Sequence, residues 1–184
     1  MTKATDTKPA TLTKSECAAT PLFATDYNVY INHTDAGGIV YHANHLVFFE
    51  NCRRDWFTKL ALNGYFLQSS NGQIQHFVVS QADLQYKRAI LLDEVINVRI
   101  DKVELKPASI IFYQSIYRQQ AQDAKAVLLS NAKIVVACVQ NQITPDSVGN
   151  NESNKTVNNA APMRPIRVPQ LLKDAIEKAI DTHN

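Results

Sequence analysis

Between residues 44 and 139 the hydrophobic period of this chain changes once, from near 3.6 to 2, and that change limits the fold more than any other feature. From about Asn44 to Leu62, Phe49, Cys52, Trp56 and Leu60 fall on one helical stripe, with Glu50, Arg53, Arg54 and Lys59 at polar positions. Asn44 is read as the N-cap and Asn63-Gly64 as the stop. Beyond residue 77, Ser80, Ala82, Leu84 and Tyr86 alternate with Gln81, Asp83, Gln85 and Lys87. Ile96, Val98 and Ile100 alternate in the same way with Asn97, Arg99 and Asp101, as half-buried strands do. Ser109 to Arg118 and Val127 to Val139 are two further strands, and the short gaps near 91–94, 106–108 and 119–125 make the neighbours antiparallel. Tyr27 to Ile31 (YNVYI) is a strand ahead of the helix. Strand, long helix, four strands is an α+β layout in which one helix and one curved sheet must bury their apolar faces on each other.

The rest of the chain adds boundaries and exclusions. Its 184 residues suit one domain with a sizeable core, and a net charge of +2 makes no electrostatic case for binding nucleic acid. No apolar run reaches the ~18 residues of a membrane span. Residues 1–25 lack the ~7–15-residue apolar stretch of a secretory signal and read as a polar tail. Residues 26–142 form the domain, 143–162 a polar excursion rich in asparagine, and 163–184 a closing segment. Within that segment Leu171, Leu172, Ala175, Ile176 and Ala179 lie near one face of a short amphipathic helix. Cys17, Cys52 and Cys138 stand singly, which fits a reducing compartment and so a cytoplasmic location. The three Asn-x-Ser/Thr matches are therefore read as chance.

Chemistry gathers at Asp35. Gly37 and Gly38 beside it can take backbone angles closed to other residues and let a ligand approach the main chain. The helix start just beyond offers unpaired N–H groups and a partial positive charge. A carboxylate beside such donors suits hydrolysis of an activated acyl group, and the same residues also suit a plain turn. His42, at the helix start, faces either a pocket or the helix end as a cap. Glu50 is read as a structural acid. Lys87 and Arg88 close a strand, where they either meet a phosphate-bearing ligand or are simply solvated. His33, His45 and His76 are weaker candidates; no H-E-x-x-H or other zinc pattern occurs, so neither metal nor cofactor is expected.

The run Thr34-Asp35-Ala36-Gly37-Gly38-Ile39-Val40-Tyr41-His42-Ala43-Asn44, followed by Phe48-Phe49-Glu50, resembles the signature of hotdog-fold acyl-CoA thioesterases. The branch it is similar to is the one associated with the bacterial Tol-Pal system, related to 4-hydroxybenzoyl-CoA thioesterase. The likeness continues through His76-Phe77-Val78-Val79, Tyr86-Lys87-Arg88, Leu92-Asp93-Glu94, Val135 to Val139 and Pro165 to Pro169, covering roughly residues 27–142 and 162–175. It implies a hotdog fold of about five strands around the helix, in dimers and commonly tetramers with sites at subunit interfaces. It also implies acyl-CoA, or acyl carrier protein, as the partner. The family's carboxylate falls on Asp35 and its carbonyl-polarising main-chain N–H on His42, with Gly38, Tyr41, Lys87 and Arg88 meeting substrate. Whether Asp35 is nucleophile or general base stays open.

Three positions depart from the family pattern. His45 stands where tyrosine is frequent, and Ala89-Ile90-Leu91 replaces Pro-Ala-Arg, which leaves Lys87, Arg88 and Lys106 as the cations for CoA phosphates. The stretch 144–162 looks inserted. A non-catalytic acyl-CoA-binding or envelope-complex module is the alternative function. A carrier-dependent hotdog dehydratase ranks last, because its paired histidine and acid motifs are absent.

Overall fold

The computed structural model describes residues 20–62, 67–68, 74–118, 126–141 and 163–183. Five long strands, two short ones and two helices follow in the order β1 (Phe23–Asn28), a 3-10 turn (Ile31–His33), α1 (Asn44–Lys59), β2 (Leu67–Gln68), β3 (Ile74–Tyr86), β4 (Val95–Leu105), β5 (Ser109–Arg118), β6 (Val127–Asn141), β7 (Met163–Pro165) and α2 (Gln170–Asp181). The strands form one antiparallel sheet, β1-β4-β5-β6-β3-β2, and β7 joins β6 where β5 has ended. With α1 laid against it, this is the hotdog fold, an α+β architecture. The polar tail to residue 19 with Cys17, the Asn63-Gly64 stop, the 119–125 gap and the 143–162 excursion lie outside the described residues.

Period 2 becomes burial most plainly in β4. Ile96, Val98 and Ile100 are fully buried, and an irregularity between Ile100 and Lys102 then shifts the inward position to Val103. Bulges of this kind bend a strand and deepen its twist, and β3 carries another between Val79 and Gln81. Phe49, Cys52 and Trp56 of α1 meet Ile96, Val98, Ile100, Ile110, Phe112, Ile116 and Ile134 in the core. Leu172 and Ile176 of α2 close its edge, while Leu171, assigned above to the same face, is exposed. The buried Cys52 and Cys138 thiols are both pushed up to about 12, chiefly by desolvation.

Four local expectations change. The first strand runs Phe23–Asn28 rather than Tyr27 to Ile31. It starts inside the segment read as tail, and it ends because the main chain turns where the Tyr30 amide donates to His33 Nδ1 at 3.0 Å. Ala43, not Asn44, is the N-cap of α1; Asn44 Nδ2 instead donates to the His33 carbonyl at 2.7 Å, tying helix to turn. The alternation in β3 covers only Leu84 in part, because α1 packs mainly against β4 and β1 on the other side of the sheet's strand order. Finally Arg53, placed on the polar side, is 2% exposed. Its guanidinium donates to Gln114 Oε1 at 2.7 Å and pairs with Glu50, while Gln114 Nε2 donates to the Phe49 carbonyl. Glu50, read as a structural acid, pairs with Arg53 while its own side chain stays 40% exposed.

Candidate active site

Residues 34–40 form a tight hairpin against the start of α1. Thr34 pairs with Val40, the Asp35 amide donates to the Ile39 carbonyl at 2.9 Å, and the Gly38 amide donates to the Asp35 carbonyl at 3.1 Å. Asp35 Oδ1 accepts from the Gly37 amide at 2.8 Å and from the Ile39 amide at 3.4 Å. The two glycines answer different demands. Gly38 has φ of +73°, the left-handed region that favours glycine, and nothing crowds its missing Cβ. At Gly37 an added Cβ would lie 3.2 Å from Asp35 Oδ1, so that glycine keeps room for the carboxylate. Asp35 itself is exposed, and both hydrogen bonds it accepts fall on one oxygen.

The hairpin delivers the chain to α1 through a turn closed by the Asn44 amide on the Tyr41 carbonyl at 2.8 Å. The helix has no side-chain cap, and among the described residues neither the His42 nor the Ala43 amide donates to a main-chain oxygen. These amides and the helix dipole make a local site for a developing negative charge. The Tyr86 hydroxyl donates to the His42 carbonyl at 3.2 Å, fastening β3 to the same turn.

Beside the helix start opens a cavity of about 290 Å³ lined by Ile39, Val40, His42, His45, Tyr86, Lys87, Arg88, Ala89 and Ile90. It gathers three of the expected residues, His42, Lys87 and Arg88. Asp35, Gly38 and Tyr41 do not line it; Asp35 and Gly38 belong to the hairpin whose returning arm, Ile39 and Val40, forms one wall. Lys106 is elsewhere, in a separate cleft with Arg167 and Lys173 beyond the far end of β4. Ile90, in the Ala-Ile-Leu departure, is fully buried and its carbonyl accepts from the Val40 amide at 2.9 Å. That trio therefore pins the hairpin.

His45, treated above as a weak candidate, is the most deeply set polar group of the cavity wall. It is 4% exposed, its Nδ1 lies 3.0 Å from Ser130 Oγ, and its ring meets Tyr86 edge-on. Burial, with a smaller push from His42, lowers its pKa to about 4, so the ring is neutral at pH 7. A spacing of three from His42 was the available signal; Ser130 carried none. His33 is structural, accepting from Tyr30 and packing edge-on against Phe48. Among the described residues no group of three or more His, Cys, Asp and Glu side chains gathers to hold a metal, and no helix is long and apolar enough to cross a membrane.

A curved antiparallel sheet laid against one long helix is the hotdog fold. Residues 29–176 match the thioesterase-like superfamily, and the chain belongs to it. An acyl-CoA thioesterase YbgC of Haemophilus influenzae is 36% identical over 117 residues, spanning 64% of this chain and 80% of the relative. An acyl-CoA thioester hydrolase YbgC of Escherichia coli is 31% identical over 121 residues, spanning 65% and 84%. The structure of 4-hydroxybenzoyl CoA thioesterase from Pseudomonas sp. strain CBS-3 superposes with a TM-score of 0.61 at 17% identity, covering 84% of this chain and 96% of that one. That of the dynemicin thioesterase gives 0.64 at 16%, covering 85% and 95%.

Proposed function

We infer that the protein is an acyl-CoA thioesterase, hydrolysing a thioester to a carboxylate and free CoA. The observation that carries this reading is the Asp35 hairpin set against the unpaired amides of the α1 start, beside a cavity edged by Lys87 and Arg88. The relatives' activity and the superfamily support it.

In this mechanism the thioester carbonyl oxygen accepts from the His42 amide, and the helix dipole favours the charge that builds there. Asp35 acts through the carboxylate oxygen that the turn does not use. As general base it takes a proton from water; the hydroxide attacks the carbonyl carbon, the C–S bond breaks, and the proton passes to the departing thiolate. As nucleophile it would form a mixed anhydride that water then opens. A single turnover in heavy-oxygen water tests the second route, since label in the Asp35 carboxyl marks an anhydride that water has opened at that carboxyl. Lys87 and Arg88 meet the CoA phosphates, and Gly38 and Tyr41 border the thioester.

The reading extends to assembly. Beyond Gln75 the outer edge of β3 has no neighbour among the described residues, and Val78 and Val79 stand exposed on it. Beside them Leu46, Val47, Val79 and Ile134, with Glu50 and Arg53, line a mainly apolar groove. An open edge with an apolar flank is a template for pairing, and a second copy covers it. We propose a dimer or tetramer on this edge, in the cytoplasm, and a place in the Tol-Pal-associated branch on the likeness of the 34–44 motif alone.

Thiol release from short, long and aromatic acyl-CoAs, and from the same chains on acyl carrier protein, tests the activity and ranks the substrates. Tight acyl-CoA binding with no thiol released from any of them would instead make the protein a binding module.

A further inference from the structure

The hydrolytic reading leaves His45, the most deeply set polar group of the cavity wall, and its partner Ser130 behind it without a task. Ser130 is 0% exposed and its Oγ lies 3.0 Å from His45 Nδ1. Sealed from water, the serine hydroxyl needs an acceptor for its hydrogen, and the imidazole nitrogen is the partner it has among the described residues. The hydroxyl therefore donates to Nδ1. A neutral ring that accepts at Nδ1 carries its own proton on Nε2. Nε2 has no partner among the described residues, yet it is not one of the sealed, unpaired polar atoms of the interior. Its opening is the cavity that His45 lines, and Tyr86, edge-on with centroids 5.0 Å apart, braces the ring plane.

The cavity thus contains an uncharged donor whose direction and tautomer are set before a ligand arrives. Such a donor suits an uncharged acceptor; a phosphate is served better by Lys87 and Arg88 on the same cavity. We propose that His45 is a specificity-determining residue whose Nε2–H, set by Ser130, binds a neutral carbonyl oxygen of the thioester substrate other than the reacting one. This rests on the thioesterase reading. Two parts of such a substrate carry that oxygen: the pantetheine arm, through its amides, and an oxidised acyl chain. Ser130 is a positioning residue, acting through the ring.

The test uses the full chain and steady-state kinetics of the wild type, His45→Phe, His45→Gln and Ser130→Ala. Substrates are one saturated acyl chain and its 3-oxo counterpart, each as a CoA thioester and as a simple alkyl thioester without amides. His45→Phe raises KM about tenfold wherever the partner oxygen is present, the size expected for one hydrogen bond, and His45→Gln restores most of it. An effect on both CoA thioesters but neither alkyl thioester assigns the pantetheine amide; an effect confined to the 3-oxo pair assigns the acyl chain. Equal loss on all four, or loss on none, overturns the proposal. Nitrogen NMR of the imidazoles adds a readout that packing alone would not move: one Nε2–H tautomer at His45 in the wild type, a mixture in Ser130→Ala. A wild-type ring protonated on Nδ1 overturns the assignment. If the wild type hydrolyses nothing, titration with a CoA thioether bearing a ketone still decides. A tenfold weaker His45→Phe sustains the donor after the hydrolase reading has fallen, and equal affinity removes it.

Discussion

Two stretches of α1 handle polar groups in opposite ways. Midway along the helix Arg53 is buried and spends its guanidinium on Gln114 and Glu50, while Gln114 returns a bond to the Phe49 carbonyl. That cluster joins the helix to β5. At the helix start the uncapped amides and one oxygen of Asp35 are left over after the local bonds are made. Midway along the helix the polar groups bond mainly to one another, with Arg53 Nε left over, whereas at the helix start the local bonds hold Asp35 by one oxygen and leave the other free of them. The first arrangement is costly to disturb structurally, the second chemically.

The largest effect expected is at the helix start. Asp35→Asn lowers kcat/KM by about 1000-fold, some 4 kcal/mol of barrier, with an unchanged melting temperature. Thiol-release kinetics and thermal unfolding check both halves, and retained activity breaks the contrast.

Next comes His45, which shows that the helix start also bears structural load. Its folded pKa of about 4 lies below the ordinary 6.5, so in acid the unfolded chain takes up a proton that the native ring refuses. Its contribution is complete above about pH 6.5 and falls with pH through that window, by about 3 kcal/mol between pH 7 and pH 4. Urea unfolding of the wild type and His45→Gln across this range measures it; parallel pH profiles refute it.

Gln114→Leu sharpens the other side. It removes one of the two acceptors of the buried Arg53 guanidinium and costs about 2 kcal/mol of stability, with kcat per folded molecule preserved. The smallest effect is Gly38→Ala, which places a side chain at φ of +73° for about 1 kcal/mol. It also shifts Asp35, so kcat for the acyl-CoA falls more than its KM rises. Calorimetry and kinetics on one preparation separate the two.

Legibility in the sequence followed the range of the interactions. The α1 stripe through Phe49, Cys52 and Trp56 and the period of β4 depend on neighbours a few residues away, and they were read correctly. So was the turn at Gly37-Gly38, whose demands are set within five residues. The end of β1 was misplaced because a single side chain, His33, stops it. The exposure of Ser80, Ala82 and Tyr86 escaped because a period says which faces alternate and not whether another layer covers them.

What the sequence determined alone is therefore the local chemistry: one helix, an antiparallel sheet, and an acid poised at a glycine turn. Only the tertiary structure decided which polar groups meet across distance. His45 reaches Ser130, 85 residues on, and Arg53 reaches Gln114, 61 residues on. Those meetings depend on the register of β5 and β6 beneath the helix, which the bulges in the sheet reset by whole residues. A one-residue slip turns a side chain to the opposite face, so no local pattern could announce that His45 would meet Ser130.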